Sequence, residues 1–257
     1  LRIAAEMNAN AAFALIEPRE EFGWVMPGYE VDALRDWARA LYAKARRYAL
    51  RALAEQDPAL AEGFRTETPD AFAQRLAQLE PDDDRLPALY WAAFASGNEI
   101  NLRLDDPAAL ARLPVVLATM ERIAELAPDA FLAGAHTFLA VFYSARGPAA
   151  GGDLERAWRH YDEVFRRTHG RFLLPYVLYA RFYCVALGAQ APERARTLFR
   201  KAIRHVLTTP PDAMAEQVLA NTIARRWASW IEQDLDEWIL PPLPDEPGTE
   251  APAADGR

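Results

Sequence analysis

Apolar residues along this chain recur at intervals of three and four rather than two. In "DLERAWRHYDEVFRR", residues 153–167, Leu154, Ala157, Trp158, Tyr161, Val164 and Phe165 form one stripe, and Glu155, Arg156, Arg159, Asp162, Glu163 and Arg166 fill the other side. That is the pattern of an amphipathic helix. The same reading predicts helices over residues 2–15, 31–55, 69–79, 85–102, 107–126, 129–145, 153–168, 173–188, 192–207 and 213–239. No run of alternating β-branched residues and no Asn-Gly turn occurs, so strands are not expected and the fold class is all-α.

Boundaries between the helices carry their own chemistry. Asp106 before Pro107 is a cap followed by a first-turn residue, and Pro192 opens the next-to-last helix. "EQDP", "LAP" and "TTPPD" end helices near Asp57, Ala127 and Thr209, and Gly170 stands where a left-handed C-terminal cap belongs. A degenerate repeat shows through: Ala157 with Ala195 and Tyr161 with Phe199 are each 38 residues apart, and the endings at Asp57-Pro58 and Ala127-Pro128 lie 70 apart. Both spacings are near one or two tetratricopeptide periods of about 34. A small residue lets two helices approach while the ring one turn later fills the groove. The expected architecture is an irregular tetratricopeptide-like helical-hairpin solenoid in a single domain over residues 1–240. The tail "PPLPDEPGTEAPAADGR", residues 241–257, buries too little apolar surface to order itself and is expected to be disordered.

Composition changes this picture little. Apolar residues make up 51% and charged residues 26%, as in ordinary globular proteins. The net charge of −8 disfavours nucleic acid. Arg194, Arg196, Arg200, Lys201 and Arg204 share one helix, but no aromatic platform is interleaved with them, so they read as a solvated outer face. The charge-free run 130–145 falls short of the ~20 residues that span a bilayer and reads as a buried helix. The chain opens on Leu1 inside a helical pattern, so a trimmed N-terminus is expected, with any export signal or lipid-attachment cysteine lost from it.

Candidate chemistry is sparse. Cys184 is the sole cysteine, so neither an internal disulfide nor a cysteine-based metal site can form, and its apolar surroundings read as core. His136, His160, His169 and His205 show no metal-ligand spacing and are read as surface or helix-end residues. Ser96, Ser144 and Ser229 sit in no nucleophile motif. Asp82, Asp83 and Asp84 read as caps, and Asp234, Asp236 and Glu237 as the polar side of the last helix. No catalytic residue, metal or cofactor is assigned.

Two features invite a functional reading. "GPAAGGD", residues 147–153, opens into a helix as a phosphate loop does. Asp153, however, stands where such a loop places lysine, and a carboxylate there caps the free N–H groups and repels phosphate. Gly151, Gly152 and Asp153 therefore read as a structural turn. The second feature is aromatic: residues 131–183, about a fifth of the chain, hold 12 of its 28 aromatic residues. Tyr176, Tyr179 and Tyr183 form one stripe of a helix whose Leu173, Val177, Ala180 and Cys184 form another. A helix apolar on two sides is packed on both or lines a cavity. Phe138, Phe142 and Tyr143 on the preceding helix are candidates to face the same space, a concave or tunnel-like apolar pocket.

"LPALYWAAFASGNEINL" at 86–102, "GPAAGGDLERAWRHYDEVF" at 147–165 and "VLANTIARRWASWIEQDLDEWI" at 218–239 resemble the TatT family, the T component of tripartite ATP-independent periplasmic (TRAP) transporters. The resemblance extends through "YAKARRYALRALAEQDPAL" and covers about residues 40–240. It implies a periplasmic, often lipid-anchored helical protein associated with the solute-binding P component, with a fold similar to one that forms a trimer with an apolar channel in each protomer. Residue by residue, Tyr90, Trp91 and Asn98 match the family's tryptophan-bearing helix, and Asn221, matching its final helix, reads as structural. Trp91 is the ring placed nearest a ligand path. The resulting expectation is a non-enzymatic accessory protein that docks the P component and binds or channels a small, partly apolar ligand. The alternative is a tetratricopeptide-like adaptor gripping a partner's peptide in its concave face.

Overall fold

Short polar side chains start several helices. In the computed structural model, which describes residues 1–17, 30–233 and 235–239, Asp57 accepts from the Leu60 amide, Thr68 from Ala71, Asp106 from Ala108 and Ala109, and Asp153 from Glu155 and Arg156. Each cap satisfies donors that a helix leaves free at its first turn. Pro58, Pro69 and Pro107 follow three of them, where a missing N–H costs no hydrogen bond.

The elements are α1 (Arg2–Ala11), continued by a π turn Ala12–Ile16; α2 (Val31–Gln56); α3 (Pro58–Thr66); α4 (Pro69–Leu76); and α5 (Leu86–Asn101). A helical turn Pro107–Leu110 precedes α6 (Leu113–Leu126), followed by α7 (Ala130–Ser144) and α8 (Leu154–Arg167). Next, α9 is built of Leu174–Leu178, a π turn Tyr179–Cys184 and Val185–Gly188; then come α10 (Pro192–Thr208), α11 (Val218–Gln233) and a last turn Leu235–Trp238. Among the described residues there is no strand, so the all-α expectation holds.

Three helix boundaries differ from expectation for physical reasons. Asp57-Pro58 ends α2 but also caps and opens α3, a helix the periodicity missed. The expected helix 107–126 is split because Pro114, which lacks an N–H, fits only the first turn of a new helix. The expected helix 213–239 starts only at Val218, after two 3₁₀ turns separated by the extended Met214.

Helices pack chiefly on their neighbours in sequence: α1 on α2, α2 on α5 across the α3–α4 excursion, then α5 on α6, α6 on α7, α7 on α8, α9 on α10 and α10 on α11. Ala157 and Tyr161 of α8 and Ala195 and Phe199 of α10 are all at most 1% exposed, so the small-then-large pairs both sit inside helix contacts. The two ends of the fold meet: Phe13 of the first π turn lies edge-on to Phe94 of α5 at 5.8 Å and to Trp227 of α11 at 5.9 Å.

Arginines tie the layers by filling helix C-termini. Arg112 donates to the carbonyls of Phe64 and Glu67, Arg122 to those of Leu76 and Leu79, and Arg225 to that of Thr209. Arg196 belongs to this set and corrects the expectation of a uniformly solvated face. It is buried, bound to the Ile239 carbonyl and paired with Asp236, while Arg194, Arg200, Lys201 and Arg204 are exposed. Asp83 likewise does more than cap, because it grips Arg85, which also reaches Asp57 at 2.7 Å and so joins the starts of α3 and α5. The Arg85 contact and its own hydrogen bonds hold the Asp83 carboxyl below its ordinary range.

No helix among the described residues is long and apolar enough to cross a membrane. Asp234 and the tail 241–257, together with the expected domain boundary at residue 240, lie outside the described residues.

Candidate functional site

The turn between α7 and α8 decides the phosphate question. Gly151 has φ +87°, and a Cβ on Gly152 would lie 1.7 Å from the Arg146 carbonyl oxygen. The backbone is folded tightly enough to consume its own donors: the amide of Gly151 donates to Pro148, that of Gly152 to Gly147 and that of Asp153 to Tyr143. Asp153 takes the amides of Glu155 and Arg156. The N–H groups that would cradle a phosphate are occupied, and the segment is a turn.

Aromatic rings from the first π turn, α5, α7 and α11 converge on one place. Phe131 stacks on Tyr90 at 4.0 Å with planes 6° apart, Trp91 stands edge-on to Tyr90, Phe94 and Phe131, and Phe138 tilts against Phe94 at 6.3 Å. Phe13 and Trp227 close one side. Tyr90 and Trp91 are buried, whereas Phe94, Phe131 and Phe138 are half-buried. Two glycines allow the interlock: a Cβ on Gly97 of α5 would meet the Phe138 ring at 2.3 Å, and one on Gly134 of α7 would meet the Tyr90 hydroxyl at 2.3 Å. Burial, with a smaller contribution from Glu6, holds the Tyr90 phenol above its ordinary range.

The backbone beside this cluster is strained. Phe131, Leu132 and Ala133 have φ of +53°, +58° and +57°, one left-handed turn at the head of α7, where the sequence pattern predicts an ordinary right-handed start. Left-handed helix costs an L-residue roughly 1–2 kcal/mol. It places the Phe131 ring flat on Tyr90, and strain of this kind concentrates at ligand clamps.

Of the expected site residues, Trp91 and Phe138 meet in this cluster. Tyr176, Tyr179 and Tyr183 do not join it. Tyr176 stacks on Phe165 at 4.1 Å, and Tyr179 and Tyr183 stack on each other at 4.9 Å and pack against Trp158 and Tyr161, filling the α8–α9 contact. Phe142 lies under the Arg146 guanidinium, and Tyr143 donates to Glu121 at 2.7 Å, lies beneath Arg156 and stacks on His160. Phe138 thus lies in the aromatic cluster, whereas Phe142 and Tyr143 meet each other edge-on at 5.2 Å, and the three do not form one wall with the tyrosine stack. Asn221 is fully buried: its Oδ1 accepts from the Leu173 amide, and its Nδ2 donates to the carbonyls of Arg171 and Pro211. Cys184 is buried, and desolvation pushes its thiol up to about 12, so it stays protonated. The rings that sequence reasoning missed, Phe13, Phe94, Phe131 and Trp227, come from four elements far apart in the chain. Only the "YWAAF" spacing of Tyr90, Trp91 and Phe94 hinted at them.

His136 was expected at a surface or helix end, yet it is buried within α7, its Nδ1 2.9 Å from Nδ1 of His160 on α8. One ring must donate and the other accept, so the bond requires a neutral partner. Burial lowers both pKa values first. His136 and Arg156 lower His160 further, against Glu121, to about 4, while His136 feels Glu163 and Asp129 in one direction and Arg167 and Arg166 in the other. An unfolded histidine titrates near 6.5, so between about pH 6.5 and 4 the unfolded chain binds protons that the folded chain refuses. Stability therefore falls with acidification through that window. Between pH 7 and 5, above the range of ordinary carboxylates, the expected loss is about 1–2 kcal/mol after allowance for solvent at the half-buried His160. Urea unfolding at both pH values measures it, and a His136→Gln/His160→Gln variant should lose most of the slope. An unchanged slope would refute the assignment.

A family model described as TRAP transporter T-component matches residues 3–238. No curated protein matches the chain.

Proposed function

The chain belongs to the TRAP transporter T-component family, and from that premise we propose that it docks the solute-binding P component and holds a small, partly apolar ligand at the aromatic cluster. Family membership makes it an accessory of a TRAP transporter. The observation that carries the ligand part is the cluster itself: buried Tyr90 and Trp91 behind half-buried Phe94, Phe131 and Phe138. Stacked and edge-on rings offer an apolar wall, and the Tyr90 hydroxyl supplies one polar handle within it. Trp91 and Phe138 are the ligand contacts retained from the expected set. Tyr176, Tyr179 and Tyr183 act instead through packing, holding α9 against α8, and Phe142 and Tyr143 secure the turn between α7 and α8. The role is non-enzymatic and periplasmic, with lipid attachment upstream of Leu1 and a homotrimeric assembly as parts of the same reading.

Native mass spectrometry of protein purified from its own host tests the ligand part. The wild type should retain a small apolar molecule. A Phe94→Ala/Phe138→Ala variant with unchanged helicity should retain at least about tenfold less. No bound molecule in the wild type, or equal amounts in both, would remove it.

A further inference from the structure

A second site lies between α2 and α3. A cleft of about 250 Å³ is lined by Ala43, Arg46, Arg47, Leu50 and Arg51 of α2 and by Arg65 of α3. We propose that this cleft binds a small polyanion, a molecule carrying two or more carboxylate or phosphate groups. It shares no residue with the aromatic cluster and does not depend on the function proposed there.

Charge placement makes the argument. Arg46 is held by Glu99 at 3.0 Å and Arg65 by Glu62 at 3.1 Å, which fixes two guanidiniums at the rim. Arg47 and Arg51 are exposed one helical turn apart and, among the described residues, have no carboxylate within ion-pair distance. Like charges at that spacing repel and destabilise a helix. The chain carries 37 acidic residues against 29 basic ones, yet none of the acids among the described residues pairs with Arg47 or Arg51. A bound anion supplies the missing charge. Guanidinium forks suit it, because each presents two parallel N–H donors to a carboxylate or phosphate.

Size selects the class of ligand. Pockets for drug-sized ligands run from roughly 300 to 1,000 Å³, so about 250 Å³ takes something smaller. Leu50 and Ala43 give it a short apolar floor, which fits a compact carbon skeleton between two charged ends.

Calorimetric titration of the full chain with pyrophosphate and with citrate, at low and matched ionic strength, tests the site. At least one should bind saturably at a single site with Kd below about 1 mM. Arg47→Glu/Arg51→Glu should weaken binding at least about tenfold, and Arg47→Lys/Arg51→Lys, which keeps the charge but not the forks, by about threefold. The Phe94→Ala/Phe138→Ala variant should bind normally, which separates failure here from failure of the aromatic site. Absence of saturable binding, equal affinity in the glutamate variant, or binding by poly-glutamate alone would overturn the proposal, the last by marking a surface for acidic protein segments instead.

Discussion

Gly152→Ala is expected to destabilise the protein by about 3 kcal/mol or more, one of the two largest losses from a single small change in this chain. The added methyl would sit 1.7 Å from the Arg146 carbonyl oxygen, a backbone atom with no flexible end to swing away. Relief requires reopening the turn, which breaks the bonds from the amides of Gly152 and Asp153 to Gly147 and Tyr143. Neighbouring glycines provide an internal scale. Gly147 has open space around its missing side chain, so Gly147→Ala should change stability by less than about 0.5 kcal/mol. Gly151 has room but sits at φ +87°, so Gly151→Ala should cost about 1 kcal/mol from backbone strain alone. Denaturant unfolding of the three variants measures the order. A Gly152→Ala protein as stable as Gly147→Ala would show that the turn is not built as described.

The second large effect is expected at Asn221. It lies on α11, yet its three hydrogen bonds go to the Leu173 amide at the head of α9, the Arg171 carbonyl just before it and the Pro211 carbonyl in the approach to α11. Asn221→Ala strands one donor and two acceptors in a site without exposure. Each unsatisfied buried group costs about 1–3 kcal/mol, so a total loss of about 3 kcal/mol or more is expected. Asn221→Asp is the sharper variant. It keeps the acceptor for Leu173 but turns an oxygen toward two carbonyls, and it should be no more stable than the alanine variant. A loss below about 1 kcal/mol for Asn221→Ala would contradict the bonding described.

What the sequence revealed and what it concealed follow one division. Local chemistry was legible: Asp106 and Asp153 cap the helices they precede, and Gly170, with φ +69°, ends α8 in the left-handed region as its position suggested. The glycine turn was legible too, because Asp153, the carboxylate that argues against phosphate, directly follows Gly151 and Gly152. Features set by distant partners were not. The left-handed turn at Phe131–Ala133 accompanies the stacking of Phe131 on Tyr90, about forty residues earlier, and no propensity favours it. The π turns at Ala12–Ile16 and Tyr179–Cys184 break the 3.6 period on which helical stripes are counted, and Phe13, Tyr179 and Tyr183 lie inside them. His136 and Arg196 looked like surface residues because polar side chains usually are. Each is buried against a partner from another part of the chain that periodicity cannot identify. Phe138, Phe142 and Tyr143 show the same limit, since on one apolar helix Phe138 joins the aromatic cluster while Phe142 and Tyr143 pack on each other under two arginines.

The claim on which the functional account depends is contact with the solute-binding component of the cognate transporter. Isothermal titration of the full chain with that protein, both ligand-free and ligand-loaded, tests it most directly. The account predicts a saturable complex with Kd in or below the tens of micromolar, absent with an unrelated solute-binding protein. No complex in either ligand state at about 100 μM, or equal binding to the unrelated protein, would contradict it.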